Sequence, residues 1–287
     1  MEIIEIKQSL GNLLSASLFI LLFLFFILRS DYFRLSSLVN PYSIRWQEVM
    51  GIFLIYLSLA FLILPAINGG IFYIAFGETR ISNHWLGWAQ ISSLFIIFLS
   101  LLTYCFSIRS GLRRYIFWGH HKPSSKRFFR SIGLGFLSFL ISYPFVLWIG
   151  FFTGLISFWI WGEVAVEQVA VNQIKMTQGY PVMFICMVFF VVGLVPFMEE
   201  LLFRGFLQTL LKLYIGRTWS LILTALIFAL VHFSLSQGLG NFQLIASLFI
   251  LSLFLGFIYE KEQTLWAPIA LHATFNGFSL ILLTFSK

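Results

Sequence analysis

Charge is what this chain has least of. Only 10% of its 287 residues are Asp, Glu, Lys or Arg, against about a quarter in a soluble domain, and Asp31 is the only aspartate. So few charges cannot coat a water-facing surface on a chain of this length, which excludes a soluble globular enzyme. Cysteine occurs twice, at Cys105 and Cys186, both inside apolar runs. That is too few for a disulfide framework or a four-cysteine metal site. Glycine and proline stand at ordinary levels, which excludes a collagen-like or low-complexity chain. What is abundant is apolar: 60% of residues are hydrophobic and 36 are phenylalanine, so disorder is excluded too. The composition is that of a polytopic membrane protein, and the length of its apolar runs makes it all-α.

A bilayer core takes about 20 apolar helical residues to cross. Runs of that kind lie near 10–28, 50–76, 85–108, 131–161, 181–211, 218–234, 242–259 and 265–284, predicting about eight transmembrane helices. The first run follows Glu2 and Glu5 and has no small-residue cleavage pattern after it, so it reads as a retained helix rather than a signal peptide.

Lys and Arg set the orientation. Placing 109–130 in the cytoplasm puts thirteen of the 18 basic residues inside and leaves Lys7, Arg80, Lys175 and Lys287 outside, with both termini outside as well. The segment 109–130 has no acid and mixes seven cations with Phe117, Trp118, Phe128 and Phe129. It is expected to be a cytoplasmic loop resting on anionic lipid, and the net charge of +7 is read that way rather than as a nucleic-acid surface. From Glu163 to Tyr180 a polar stretch is expected as a short helix or loop on the outer face.

An ionisable residue inside a span is a functional candidate by default, because a charge at the bilayer centre costs about 2.5–3.5 kcal/mol on insertion scales. Among the acids only Glu199 and Glu200 lie well inside an apolar run, and among the histidines only His232 and His272. Glu200 and Arg204 are four residues apart, the favourable order for a helical ion pair. Glu199 is rotated from Glu200 by about 100° and is not committed to that cation. Phe228 and His232 share one helix face by the same spacing, as do His272 and Asn276. Counting about 1.5 Å per residue from the predicted ends places His272 about 10 Å and His232 about 21 Å from the cytoplasmic side, and Glu199 about 27 Å from the outer side. These depths coincide only if the helices tilt or their ends move.

The set supplies carboxylate, imidazole and amide without a convincing nucleophilic Ser or Cys; Ser234 lacks an evident base and oxyanion donors. Direct attack by water is the simpler chemistry, with Glu and His taking the proton and other groups receiving the oxyanion. Two His and a Glu are also a zinc ligand set. No His-Glu-x-x-His motif occurs, so the expected cofactor is none and zinc is the alternative.

In order along the chain, Glu199-Glu200-x-x-x-Arg204, Phe228-x-x-x-His232 and His272-x-x-x-Asn276 resemble the three motifs of the CAAX protease and bacteriocin-processing (CPBP, or Abi) family of intramembrane proteases, which includes the type II CAAX prenyl endopeptidases. The resemblance divides the chain into 1–180, with no family assigned, and a catalytic membrane domain at 181–287. It implies an intramembrane endopeptidase acting on a membrane-associated or lipidated peptide or protein. By analogy Glu199 and His232 activate water, His272 and Asn276 form the oxyanion site, and Glu200 assists. Arg204 would be the structural partner of Glu200, and Phe228 would line the site. Both a metallo and a metal-free glutamate mechanism have been argued for the family; the metal-free one is expected here. The rival reading is a non-catalytic scaffold, assembly or bacteriocin-immunity protein that keeps the fold and binds a protein partner through its N-terminal helices. A proton-coupled transporter would call for pseudo-repeats or broken helices in two halves, and neither is found in the sequence.

Overall fold

Within a bilayer the backbone has no water to bond, so each long apolar run must satisfy its own polar groups as a helix. The computed structural model meets every predicted run with helix; it describes residues 3–29, 31–35, 42–77, 81–162 and 169–285. Among these residues there is no strand. The helices are α1 (Ile3–Arg29), α2 (Trp46–Ser58), α3 (Leu64–Phe76), α4 (Asn83–Ser107), α5 (Ser110–Trp118), α6 (Ser125–Trp161), α7 (Val169–Thr177), α8 (Pro181–Phe189), α9 (Val195–Glu200), α10 (Thr209–Leu230), α11 (Gly240–Glu262) and α12 (Trp266–Phe285). Five stretches are long and apolar enough to cross a membrane: Trp46–Phe76, Asn83–Ser107, Ser125–Ile160, Pro181–Leu230 and Gly240–Glu262. The chain is an all-α integral membrane protein.

The expected fifth and sixth spans are one helical run, 181–230, divided at Gly216, whose φ of 76° and ψ of 175° are not helical. That positive φ suits glycine. Without the break, Glu199 and His232 would stand roughly 50 Å apart on a straight helix. They lie 3.8 Å apart, so the chain folds back at Gly216, 17 residues after Glu199 and 16 before His232. Equal arm lengths bring the two residues to the same level.

Three stretches widen into π-helix: Leu59–Ile63, Phe190–Leu194 and Leu201–Gln208. The first two run into Pro65 and Pro196, which lack an N–H and crowd the preceding turn. At each, the residue before the proline bonds five residues back, Leu64 N–H to Leu59 O and Val195 N–H to Phe190 O. The next bond in that register would need the proline nitrogen, so the carbonyls of Ala60 and Val191 are left without it.

The long helix α6 packs along α11 and α12. Gly135 permits the approach to α12, since a Cβ there would lie 2.5 Å from the Ala267 carbonyl and 2.6 Å from Ala270 Cβ. The largest apolar cluster joins Ile52, Leu101 and Ile116 of the first 180 residues to Leu202, Phe206 and Phe228 of the remainder.

The segment expected as a basic loop, 109–130, is largely helical. It holds α5, which turns Leu112, Tyr115 and Ile116 inward, and α6 begins at Ser125 rather than at the predicted 131. Several of its cations are engaged by the protein itself. Arg109 meets Glu48 through two bonds of 2.9 and 2.8 Å, and Arg127 donates to the Glu262 carbonyl at 3.1 Å. Burial pushes the His121 imidazole below its usual range, with Arg127, His120 and Arg130 adding to the effect. In the polar stretch that follows α6, α7 is the short helix expected there; Glu163 and Glu167 lie outside the described residues.

Candidate active site

The two adjacent glutamates are separated by the helical rotation between them. Glu200 is fully buried, and its Oε1 accepts from Arg204 Nη1 at 2.9 Å and from His272 Nδ1 at 2.8 Å. Arg204, also fully buried, donates through Nη2 to the Ser252 carbonyl at 3.1 Å and to its hydroxyl at 2.6 Å. The predicted i,i+4 ion pair is therefore present and is fastened to α11 and α12 as well.

Glu199 points elsewhere. Its Oε1 is 3.8 Å from His232 Nε2 and its Oε2 is 3.7 Å from His272 Nε2. Among the described residues no Lys or Arg nitrogen lies within 4 Å of it. Its side chain is 17% exposed and that of His232 31%, so this face is open where the Glu200 face is closed.

Ring orientation follows from the second nitrogens. His232 Nδ1 lies 2.7 Å from the Phe228 carbonyl, which can only accept, so that nitrogen carries the proton and Nε2 of the neutral ring is bare. His272 Nδ1 likewise donates to the Glu200 carboxylate. Both Nε2 atoms converge on Glu199 across gaps too long for a direct hydrogen bond and short enough for one water to reach both sides.

Phe228 is fully buried beneath the site. Its ring carries the Arg204 guanidinium at 4.8 Å and touches the rings of His232 and His272, with centroids at 4.8 and 5.9 Å. His232 itself sits just past the end of α10, not within it, and folds back onto the last turn through Phe228. Asn276 Nδ2 donates at 3.0 Å to the Val191 carbonyl, the one left open by Pro196. One amide N–H remains to it. The depth mismatch expected from the sequence is gone: the fold at Gly216 brings Glu199 and His232 level, and His272 meets both glutamates.

The sequence reading missed a second buried acid. Glu260 was placed beyond the end of the seventh run, yet α11 continues to Glu262 and Glu260 is 1% exposed. Lys212 Nζ reaches its two oxygens at 2.8 and 3.1 Å, Arg217 Nε lies 3.3 Å away and Gln208 Nε2 donates at 3.1 Å. Ser252, which holds Arg204, was also overlooked. Ser252 and Glu260, each four residues from Gly256 on a mainly apolar stretch of α11, were the available signal for these contacts, and Gly256 provides a carbonyl for Gln208 at 3.3 Å.

No group of three His, Cys, Asp or Glu among the described residues is arranged to hold a metal ion. Residues 181–278, the stretch that contains every residue of this site, match the family model described as Type II CAAX prenyl endopeptidase Rce1-like. The match coincides with the resemblance carried by the motifs. No curated protein and no solved structure matches the chain.

Proposed function

We propose that the chain is an intramembrane endopeptidase that hydrolyses a peptide bond of a membrane-associated or lipidated substrate with water activated by Glu199 and His232. The observation that carries this reading is a carboxylate with no cation of its own, facing two imidazole nitrogens in a partly open, lipid-embedded site. Water between Glu199 Oε1 and His232 Nε2 gives one hydrogen to each and directs a lone pair at the scissile carbonyl carbon. Attack transfers a proton to this pair, which returns it to the departing amine.

The oxyanion that forms needs donors in place before the reaction. Asn276 supplies its remaining N–H. His272 donates from Nε2 when that nitrogen is protonated, and the resulting imidazolium has its charge met at Nδ1 by Glu200. Glu200 thus acts through His272, and Arg204 with Ser252 fixes Glu200. In this reading the machinery is metal-free. The same ring orientation would also serve zinc ligation, since metal-binding histidines have their second nitrogen fixed by a carbonyl or carboxylate.

The test is cleavage of a panel of membrane-associated peptides by purified wild type and Glu199→Ala, with and without a zinc chelator. Cleavage that survives the chelator and disappears in a folded Glu199→Ala supports the reading. Chelator-sensitive cleavage would move Glu199, His232 and His272 to ligand roles. Full replacement of the wild type by Glu199→Ala in the native cell would remove the enzyme reading.

A further inference from the structure

Glu199 also lines a cavity of about 320 Å³, and most of its wall belongs to residues before 180. The surface is mainly apolar, contributed by α3, α4 and α9. Its polar members are Tyr56, Asn68, Gln90, Ser93 and Glu199, and Ala60 and Pro65 also line it.

These groups keep hydrogen-bonding capacity to spare. Asn68 Nδ2 donates to Ser93 Oγ at 3.0 Å, and Ser93 Oγ donates to the Ala89 carbonyl at 2.7 Å. Gln90 Nε2 donates to Gln173 Oε1 at 2.7 Å. Each bond uses one of the amide's two N–H groups and leaves the other beside an oxygen, Asn68 Oδ1 and Gln90 Oε1. The Ala60 carbonyl adds a third acceptor, because the π register ends on a proline nitrogen. At Val191 the same defect is filled by Asn276, whereas among the described residues no side chain donates to Ala60.

A wall of unpaired acceptors and amide donors set in an apolar cavity calls for a guest whose own polar groups are unpaired. A helical guest has none along its length, since its N–H and C=O groups pair with each other. An extended chain presents a backbone N–H at every residue, alternating in direction. We propose that the first 180 residues contribute the substrate-positioning wall: Ala60, Asn68 and Gln90 receive the backbone N–H groups of an unwound polypeptide segment and present its next peptide bond to Glu199. Recognition is by main chain more than by side chain. The proposal rests on the endopeptidase reading of Glu199, extends it to substrate conformation, and makes Ala60, Asn68 and Gln90 positioning residues.

The experiment uses the full chain in lipid nanodiscs, with Glu199→Gln to hold substrate and p-benzoylphenylalanine in place of Leu94 on the cavity wall. The probe is a dye-labelled pool of apolar ten-residue peptides, competed by the same pool unlabelled or N-methylated along its backbone. Labelling at position 94 that the unmethylated pool suppresses at least tenfold better, and that Asn68→Leu/Gln90→Leu reduces, is the expected result. Pro65→Ala, which returns an N–H to the Ala60 carbonyl, reduces it as well. No labelling at 94, equal competition by the two pools, or labelling indifferent to Asn68→Leu/Gln90→Leu overturns the proposal; the competition arm needs no wall variant to fold. Cleavage by the chain with native Glu199 is scored separately. Methylation-sensitive labelling without any cleavage leaves the wall standing and removes the peptidase, while cleavage with methylation-blind labelling does the reverse.

Discussion

Two buried carboxylate centres, one on α9 and one on α11, have their charges met in opposite ways. Glu260 is held by Lys212 and Arg217 with Gln208 completing its shell, so that cluster carries a surplus of cation. The Glu199–Glu200 centre has the single cation Arg204, spent on Glu200, and so carries a spare carboxylate. Both centres are costly to bury, and burial alone does not separate them. What separates them is the partner: a Lys or Arg holds a carboxylate in one state, whereas an imidazole across a water-sized gap can exchange a proton with it.

If this contrast is sound, the largest effects come from the imidazoles. His232→Ala and His272→Ala are each expected to lower the turnover of a cleaved peptide by about 10²- to 10⁴-fold; measured on the same preparations, the unfolding midpoint stays near wild type for the partly exposed His232 and falls for the buried His272, whose bond to Glu200 is lost. Next is the fixed pair: Arg204→Met leaves Glu200 buried without its cation and is expected to cost about 3–5 kcal/mol of stability, read from unfolding in mixed micelles. Glu260→Gln should cost less, about 1–3 kcal/mol, because the amide keeps hydrogen bonds to its neighbours, and it should leave turnover per folded molecule unchanged. Asn276→Ala is expected to cost less than either, about 1 kcal/mol for the lost bond to Val191. Its turnover should nonetheless fall, and a loss in KM alone with kcat intact would remove Asn276 from the oxyanion site.

Much of the fold was readable because the bilayer leaves helices as the choice for runs of this length, and each predicted run is helical. The motif spacing also carried real geometry: residues 200 and 204 share a face, 228 and 232 touch, and Glu199 is indeed turned away from Arg204. What the sequence hid was three-dimensional. The fold-back at Gly216 is a single φ value, and without it the depths of Glu199 and His232 do not match. Glu260 was discounted for an error of a few residues in where α11 ends. The polar wall on α3 and α4 was invisible because Asn68, Gln90 and Ser93 are uncharged, and their alignment with Glu199 exists only after packing. The π stretches explain more than they announced, since Pro65 and Pro196 read simply as interruptions until the carbonyls they expose are located.

The most direct measurement pairs rate with stability for Glu199→Gln and Glu260→Gln in one detergent, using a peptide that the wild type cleaves. The account predicts a lost rate at an unchanged unfolding midpoint for Glu199→Gln, and an unchanged rate per folded molecule at a lowered midpoint for Glu260→Gln. Cleavage by Glu199→Gln near the wild-type rate, or a rate that merely follows the midpoint in both variants, would contradict it.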